Sequence, residues 1–206
     1  MSDLKLFSMP SSGNSYKVRL LLSLLGVSYT HVPCEVCTPA LEQAKEDGSL
    51  PHGKLPALHL TDGSILTESS AILWHLASGT DFLPADPMIQ TRVLEWMFFE
   101  QNRMENVIAI RASLNSYPHL AAQASPERMA DLEQAGIALF ELLEGYLSDR
   151  EWMVGASPTI ADIAIFGYTH SSGTRGGYDM SPYPAIQRWC ERMKALPDFI
   201  ALDYQP

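Results

Sequence analysis

Lys54-Leu55-Pro56-Ala57-Leu58-His59-Leu60-Thr61-Asp62-Gly63-Ser64-Ile65-Leu66-Thr67-Glu68-Ser69-Ser70-Ala71-Ile72 is the stretch on which the fold turns. Ala57 to Leu60 and Ser64 to Leu66 read as short strands around Thr61-Asp62-Gly63, and Asp-Gly between apolar runs is a strong hairpin signal. A helix follows from about Ser69 to Ala77. Upstream, Leu4 to Phe7 reads as a strand and Met9 to Asn14 as a loop of turn residues. Val18, Leu21, Leu22 and Leu25 then recur at helical spacing over Ser15 to Leu25, with Gly26 as a stop. A second strand, Val27 to Val32, and a helix near Ala40 to Glu46 complete a β-α-β-α-β-β-α order. After Gly79 the strand signals end. Prolines at 84, 87, 118, 126, 158, 182 and 184 separate helical patterns near 87–115, 126–148, 159–171 and 183–195. The expectation is an α/β domain over 1–80, a linker over 81–86 and an all-helical domain over 87–206.

Composition narrows the function. The chain has 206 residues, 46% hydrophobic and 18% charged, which is ordinary for a folded protein and unlike a disordered one. Lys and Arg number 14 against 24 Asp and Glu, a net charge of −10. Nucleic acids and anionic membrane surfaces need basic patches, so neither is expected as a main partner. The acidity sits mostly in the helical half: five basic and seven acidic residues lie within 1–80, nine and seventeen beyond, for −2 and −8. Met-Ser-Asp-Leu-Lys-Leu-Phe lacks the charged start and apolar run of a signal peptide, and no stretch is apolar for the roughly 18 residues of a membrane span. A cytoplasmic protein without a membrane partner is expected. Cys34, Cys37 and Cys190 are too few for a disulfide scaffold or a four-cysteine zinc site, and the six histidines show no ligand spacing, so no metal is expected.

Three segments carry a resemblance. Ser11-Ser12-Gly13-Asn14-Ser15-Tyr16-Lys17-Val18-Arg19 resembles the loop and helix start that hold the catalytic Ser, Cys or Tyr of soluble glutathione transferases. Pro51-His52-Gly53-Lys54-Leu55-Pro56-Ala57-Leu58 is similar to that family's Asn-Pro-x-Gly-Lys-Val-Pro-x-Leu segment, and Glu68-Ser69-Ser70-Ala71-Ile72 to its Glu-Ser-x-Ala-Ile segment. Leu50 stands where the family often has Asn. Ser157-Pro158-Thr159-Ile160-Ala161-Asp162 matches the family's helix-capping segment, and in its own right fits a capping box. Together these cover nearly the whole chain. The resemblance implies an N-terminal thioredoxin-like domain followed by an all-helical transferase domain, glutathione as cosubstrate, and a homodimer formed largely by the second domain.

The chemistry follows from the thiol. A free cysteinyl thiol has a pKa of about 8.5, so a site that uses it as a nucleophile at neutral pH must stabilise an anion. A loop at a helix N-terminus supplies backbone N–H groups and the positive end of the helix dipole, and a serine hydroxyl can donate to sulfur. Ser12, counted back from Lys17-Val18, stands at the family's catalytic position, with Asn14 as second donor; Ser11 and Ser15 otherwise read as loop and cap residues. The resemblance implies a cis Leu55-Pro56 bond that presents Leu55 to the cysteinyl backbone as an added strand. Glu68 and Ser69, at a strand-to-helix turn, would take the γ-glutamyl ammonium and carboxylate. Lys54 would pair with the glycyl carboxylate, helped by His52. Phe99, Arg103 and His170 would line the electrophile pocket.

Other readings stay open. Ser11-Ser12 with Val18-Arg19 is also similar to maleylacetoacetate isomerase-like transferases, whose Ser-Ser-Cys loop has cysteine where this chain has Asn14. Disulfide reduction with two glutathiones, and a noncatalytic glutathione-binding or regulatory protein, are further alternatives, because fold alone does not give function. Cys34-Glu35-Val36-Cys37 has redox spacing but follows the second strand, whereas a thioredoxin-like dithiol sits before the first helix. Ser171 to Gly177 is glycine-rich without the strand-loop-helix setting of a phosphate loop and reads as a flexible connection, with Arg175 as an acid-substrate contact.

Overall fold

Strand β1 (Lys5–Ser8) occupies the middle of a four-stranded mixed sheet of order β2-β1-β3-β4. The computed structural model that shows this describes residues 4–204. β1 runs parallel to β2 (Thr30–Pro33), with Leu6 opposite His31, and antiparallel to β3 (Ala57–His59), with Leu6 opposite Leu58. β4 (Ile65–Thr67) pairs antiparallel with β3 through the Asp62-Gly63 turn, where Gly63 takes φ 88°. The Asp62 carboxylate accepts from the Ser64 N–H at 2.8 Å and holds that turn.

A parallel β1–β2 pair needs a crossover, and helix α1 (Gly13–Leu24) supplies it. The helix starts two residues before the expected Ser15 because Ser12 is its N-cap. It ends in a Schellman arrangement: Gly26 has φ 63°, its N–H donates to Ser23, and the Val27 N–H donates to Leu22. That stop uses Gly26 and Val27, which is why β2 begins at Thr30 rather than Val27. α2 (Pro39–Glu46) and α3 (Ser69–Ala77) complete the expected thioredoxin-like order. Pleating splits the core into two layers. Leu6 and Leu58 join Val18, Leu22 and Ile72 on the α1/α3 face, and Ala57 joins Cys34, Ala44 and Leu50 on the other. Each such aliphatic side chain contributes about 1.5–3 kcal/mol on burial. Leu50, the departure from the family pattern, is thus a core residue, 3% exposed.

The remaining α-helices are α4 (Pro87–Phe99), α5 (Ile110–Ser116), α6 (Pro126–Leu147), α7 (Ile160–Thr169) and α8 (Pro184–Lys194), with a 3-10 turn over Pro118–Gln123 between α5 and α6. The single helix expected over 87–115 is interrupted. Glu100–Ala109 forms wider π-helical turns between α4 and α5, whose i→i+5 bonding gives no distinct hydropathy signal in a helical sequence. α7 is the axis of this bundle: every residue from Ile160 to Gly167 is buried. Its expected capping box is present, with Thr159 accepting from the first turn and Asp162 returning to the Thr159 N–H at 2.9 Å.

Two compact units divide the chain: residues through Leu83 with those from Ala195 onward, and Pro84–Lys194. The boundary expected at 87–206 therefore differs at its far end, because the closing segment bonds to α1 in the first unit. The segment 171–177 also differs from a flexible connection. Ser172 is 1% exposed, the Gly176 carbonyl accepts from Arg111 Nε at 2.8 Å and from Asn115 at 3.1 Å, and a Cβ at Gly176 would lie 2.6 Å from the Ser172 carbonyl. It is a packed loop that needs its glycine.

Candidate functional site

In the first unit, the loop after β1 and the start of α3 converge. The Ser69 hydroxyl donates to Asn14 Oδ1 at 3.2 Å, tying the N-terminus of α3 to the first turn of α1. Neither helix carries an acidic residue in its first turn, whereas α2, α6 and α7 do. The positive ends of two helix dipoles therefore meet, α1 without an acid at its start and α3 with only Glu68 at its N-cap, an arrangement that can take an anion together with a cation.

Each loop residue has a distinct local role. Ser12 caps α1, its Oγ accepting from the Ser15 N–H at 3.4 Å, and as a hydroxyl it keeps its O–H to donate. Ser15 is fully buried and its Oγ accepts from the Met9 N–H at 3.0 Å. Asn14 Oδ1 accepts from Lys17 Nζ at 2.7 Å as well as from Ser69. A lysine ammonium has no acceptor capacity, so this contact sets which end of the amide is oxygen; the Asn14 nitrogen meets its surroundings as a donor. Ser11 is held by Glu35, whose two oxygens accept from its N–H at 3.1 Å and its hydroxyl at 2.9 Å.

Beneath the loop lies Arg19, fully buried. Its guanidinium donates to Ser8 Oγ at 3.2 Å, to the Met9 carbonyl at 3.3 Å and to the Pro10 carbonyl at 3.0 Å. Burial lowers its pKa from the ordinary arginine value, but it stays a cation. Ser8 Oγ also lies 2.7 Å from His31 Nε2, and burial lowers the His31 pKa. Lys17, Arg19 and Glu35 were not singled out by sequence reasoning as acting on the loop. The one available signal was a lysine and an arginine inside the apolar pattern of α1.

Around the rim, the Leu55-Pro56 bond is cis, as the resemblance implied. Glu68 caps α3 with φ 65° and ψ 116°, a conformation costly for a residue with a Cβ and one that concentrates at functional sites. Its carboxylate is exposed and Ser69 beside it is buried. His52 Nδ1 lies 3.2 Å from Thr67 Oγ1, and Lys54 is exposed. Cys34 is buried and Cys37 exposed, both as free thiols, and burial pushes the Cys34 thiol up. Neither lies in the loop before α1.

Phe99, Arg103 and His170 all belong to the helical unit. Phe99 and Arg103 come together, the guanidinium 5.3 Å from the ring centroid, and Arg103 borders a cleft of about 390 Å³ beside Val107 and Leu139. His170 is bound elsewhere in that unit: it caps α7, its Nδ1 is 2.7 Å from the Phe166 carbonyl, and its ring stacks on Phe166 at 4.9 Å. Arg175 approaches the Tyr117 hydroxyl at 3.4 Å. Burial lowers the His170 pKa to about 4, with Arg175 and Lys194 adding to the shift.

The neutral His170 ring makes a pH prediction. Its folded pKa lies below the unfolded value near 6.5, so its contribution is complete above that value and is lost as pH falls toward about 4. Relative to His170→Gln, the wild-type protein is expected to lose on the order of 2 kcal/mol over that window, discounted for partial exposure. Urea unfolding of both proteins across pH 4–7 checks this, and parallel curves would refute it. Asp162 titrates in the same range and cancels in the difference.

Among the described residues no helix is long and apolar enough to cross a membrane, and no group of three or more His, Cys, Asp or Glu side chains could hold a metal. Two family models match the chain: the glutathione S-transferase N-terminal domain over residues 6–81 and the glutathione S-transferase C-terminal domain over 107–197. The crystal structure of a glutathione S-transferase from Pseudomonas fluorescens superposes with a TM-score of 0.90 at 37% identity, covering 98% of this chain and 99% of that one. The disulfide-bond oxidoreductase YfcG of Escherichia coli is 26% identical over 191 residues, covering 89% of this chain and 87% of its own. A maleylacetoacetate isomerase from Rhizobium meliloti is 28% identical over 193 residues, covering 90% of each.

Proposed function

Because the chain belongs to the glutathione S-transferase family, we propose that it is a glutathione transferase: it binds glutathione in its first unit and activates the thiol for attack on an electrophilic small molecule. The observation that carries this reading is the junction of the α1 and α3 N-termini through Asn14 and Ser69. Glutathione has a carboxylate and an ammonium at its γ-glutamyl end, a thiol in the middle and a second carboxylate at its glycyl end. The residues fit that order. The α3 N-terminus and Ser69 receive the γ-glutamyl carboxylate while exposed Glu68 pairs with the ammonium. The Leu55 backbone pairs with the cysteinyl residue, and Lys54 with His52 holds the glycyl carboxylate. Ser12 and the Asn14 amide donate to sulfur at the positive end of α1, which shifts the thiol toward thiolate.

The thiolate then forms a bond to an electrophilic carbon, and the leaving group departs with the electron pair. Phe99 and Arg103 contribute an aromatic face and a cation toward that second substrate, whereas His170, held on Phe166, is not brought together with them. We place the enzyme in the cytoplasm as a homodimer. Leu94 and Phe98, one turn apart on α4 and 36% and 63% exposed, and Leu142 on α6, 42% exposed, support an association face on the helical unit. Sedimentation as a 22.8 kDa species at working concentration would remove the dimer.

Calorimetry with glutathione, followed by a conjugation assay with an activated aryl halide, tests the reading. Absence of binding at millimolar glutathione would overturn it. A second chemistry uses the same thiolate: attack on a mixed glutathionyl disulfide, releasing the other thiolate and oxidised glutathione. The naming of a curated relative as a disulfide-bond oxidoreductase favours assaying it. With no cysteine between Ser8 and Val18, both sulfurs of that exchange would come from outside the loop. Turnover of the disulfide without conjugation would select this chemistry, and isomerisation of an unsaturated diacid without either would select the isomerase.

A further inference from the structure

One face of α1 holds two separate pieces of chain. Tyr16, Arg19 and Ser23 lie at i, i+3 and i+7, so their side chains share a side of the helix. All three bond to main-chain carbonyls of the segment after α8: the Tyr16 hydroxyl to Ile200 at 2.7 Å, Arg19 Nη2 to Leu202 at 2.8 Å, and Ser23 Oγ to Asp198 at 2.7 Å. The same Arg19 guanidinium holds Ser8 Oγ and the carbonyls of Met9 and Pro10, directly before Ser11 and Ser12. One buried cation thus joins the segment 198–202 to the root of the loop.

We propose that residues 198–202 are a positioning element for the thiol-activating loop, acting through Arg19. This rests on the glutathione reading above. The Arg19 guanidinium donates to three main-chain carbonyls and a serine hydroxyl. A buried guanidinium held this way depends on each acceptor, because a lost one leaves donors desolvated and unpaired. If Leu202 withdraws, Nη2 keeps only Pro10, and the fork that fixes the Met9-Pro10 main chain loses its outer anchor. The Met9 N–H bond to Ser15 Oγ and the Ser12 N–H bond to the Met9 carbonyl at 3.1 Å follow the same peptide units. Movement there shifts the Ser12 hydroxyl against the sulfur, and a hydrogen bond to an anion weakens steeply with poor geometry. Arg19 and residues 198–202 act on the donors and not on sulfur or substrate; they set where the donors stand.

The test compares the full chain with a chain ending at Phe199, with Arg19→Lys, which keeps the charge but loses the fork, and with Tyr16→Phe, which removes one tie. Three readouts are used: the pKa of the bound glutathione thiol from its thiolate absorbance, KM for glutathione, and amide hydrogen exchange over residues 9–15. The shortened chain and Arg19→Lys are expected to raise the bound-thiol pKa by about one unit, a roughly tenfold loss of thiolate at a pH well below it, and to speed exchange over 9–15. Tyr16→Phe is expected to shift both in the same direction by less. If the shortened chain does not fold, Arg19→Lys and Tyr16→Phe decide the matter. Wild-type thiol titration and exchange in folded variants would overturn the proposal. If the wild-type protein binds no glutathione, the functional reading fails, and unaltered exchange over 9–15 would then overturn the clamp separately.

Discussion

Asp162→Ala is expected to destabilise the protein by roughly 3–5 kcal/mol, because it strips the acceptor from several buried donors at once. Asp162 is fully buried, and its carboxylate accepts from the Met153 N–H at 2.8 Å, the Thr159 N–H at 2.9 Å, the Thr159 hydroxyl at 3.2 Å and Trp189 Nε1 at 2.9 Å. Burial pushes its pKa up to about 6 against the pull of these donors. One side chain therefore ties the start of α7 to the chain before it and to α8. Asp162→Asn is expected to recover only part of the loss, since its amide NH₂ would face another donor. Thr159→Ala, which removes a cap hydroxyl but leaves the carboxylate, is expected to cost about 1 kcal/mol. Urea denaturation of the three variants checks the ranking. A loss below that of Thr159→Ala for Asp162→Ala would show that the network contributes little.

The second large effect falls on activity. Ser12→Ala is expected to lower kcat/KM for conjugation by about 10²-fold, the usual effect of removing one well-placed donor to a developing anion. Ser12 also caps α1, so alanine carries a structural loss that complicates the reading. Glycine is tolerated at an N-cap at a cost of only a few tenths of a kcal/mol. Ser12→Gly is therefore expected to keep the stability of the wild-type protein while matching Ser12→Ala in activity. Recovery of activity in the glycine variant would assign Ser12 to capping alone and move the donor role to Asn14. In that case Asn14→Ala should carry the 10²-fold loss instead.

The elements best read from the sequence were those with a local cause. Asp62-Gly63 dictates its turn through a positive φ and an aspartate bond, and α3 begins at Ser69 as expected. Thr159 and Asp162 announce α7 because both halves of the capping box lie within three residues of each other. What stayed hidden depends on distant partners. Arg19 and Lys17 look like exposed polar positions of an amphipathic helix, yet both are fully buried, because their partners are main-chain oxygens and an amide that no side-chain pattern records. Glu35 reads as the inside of a C-x-x-C sequence, and only the fold brings it to Ser11 across 24 residues. The anchoring of the Gly176 carbonyl depends on Arg111 and Asn115, more than 60 residues away.

The first unit is discontinuous in the chain, and this bears on how the protein is made. Residues through Leu83 are synthesised before Pro84–Lys194, and the carbonyls that receive Tyr16, Arg19 and Ser23 only after it. Until the helical bundle has been synthesised, Tyr16 and Ser23 lack these protein acceptors and Arg19 holds only those of Ser8, Met9 and Pro10. For the same reason, a fragment cut at Leu83 lacks these acceptors, whereas a circular permutant that joins the closing segment directly to β1 would make the unit contiguous.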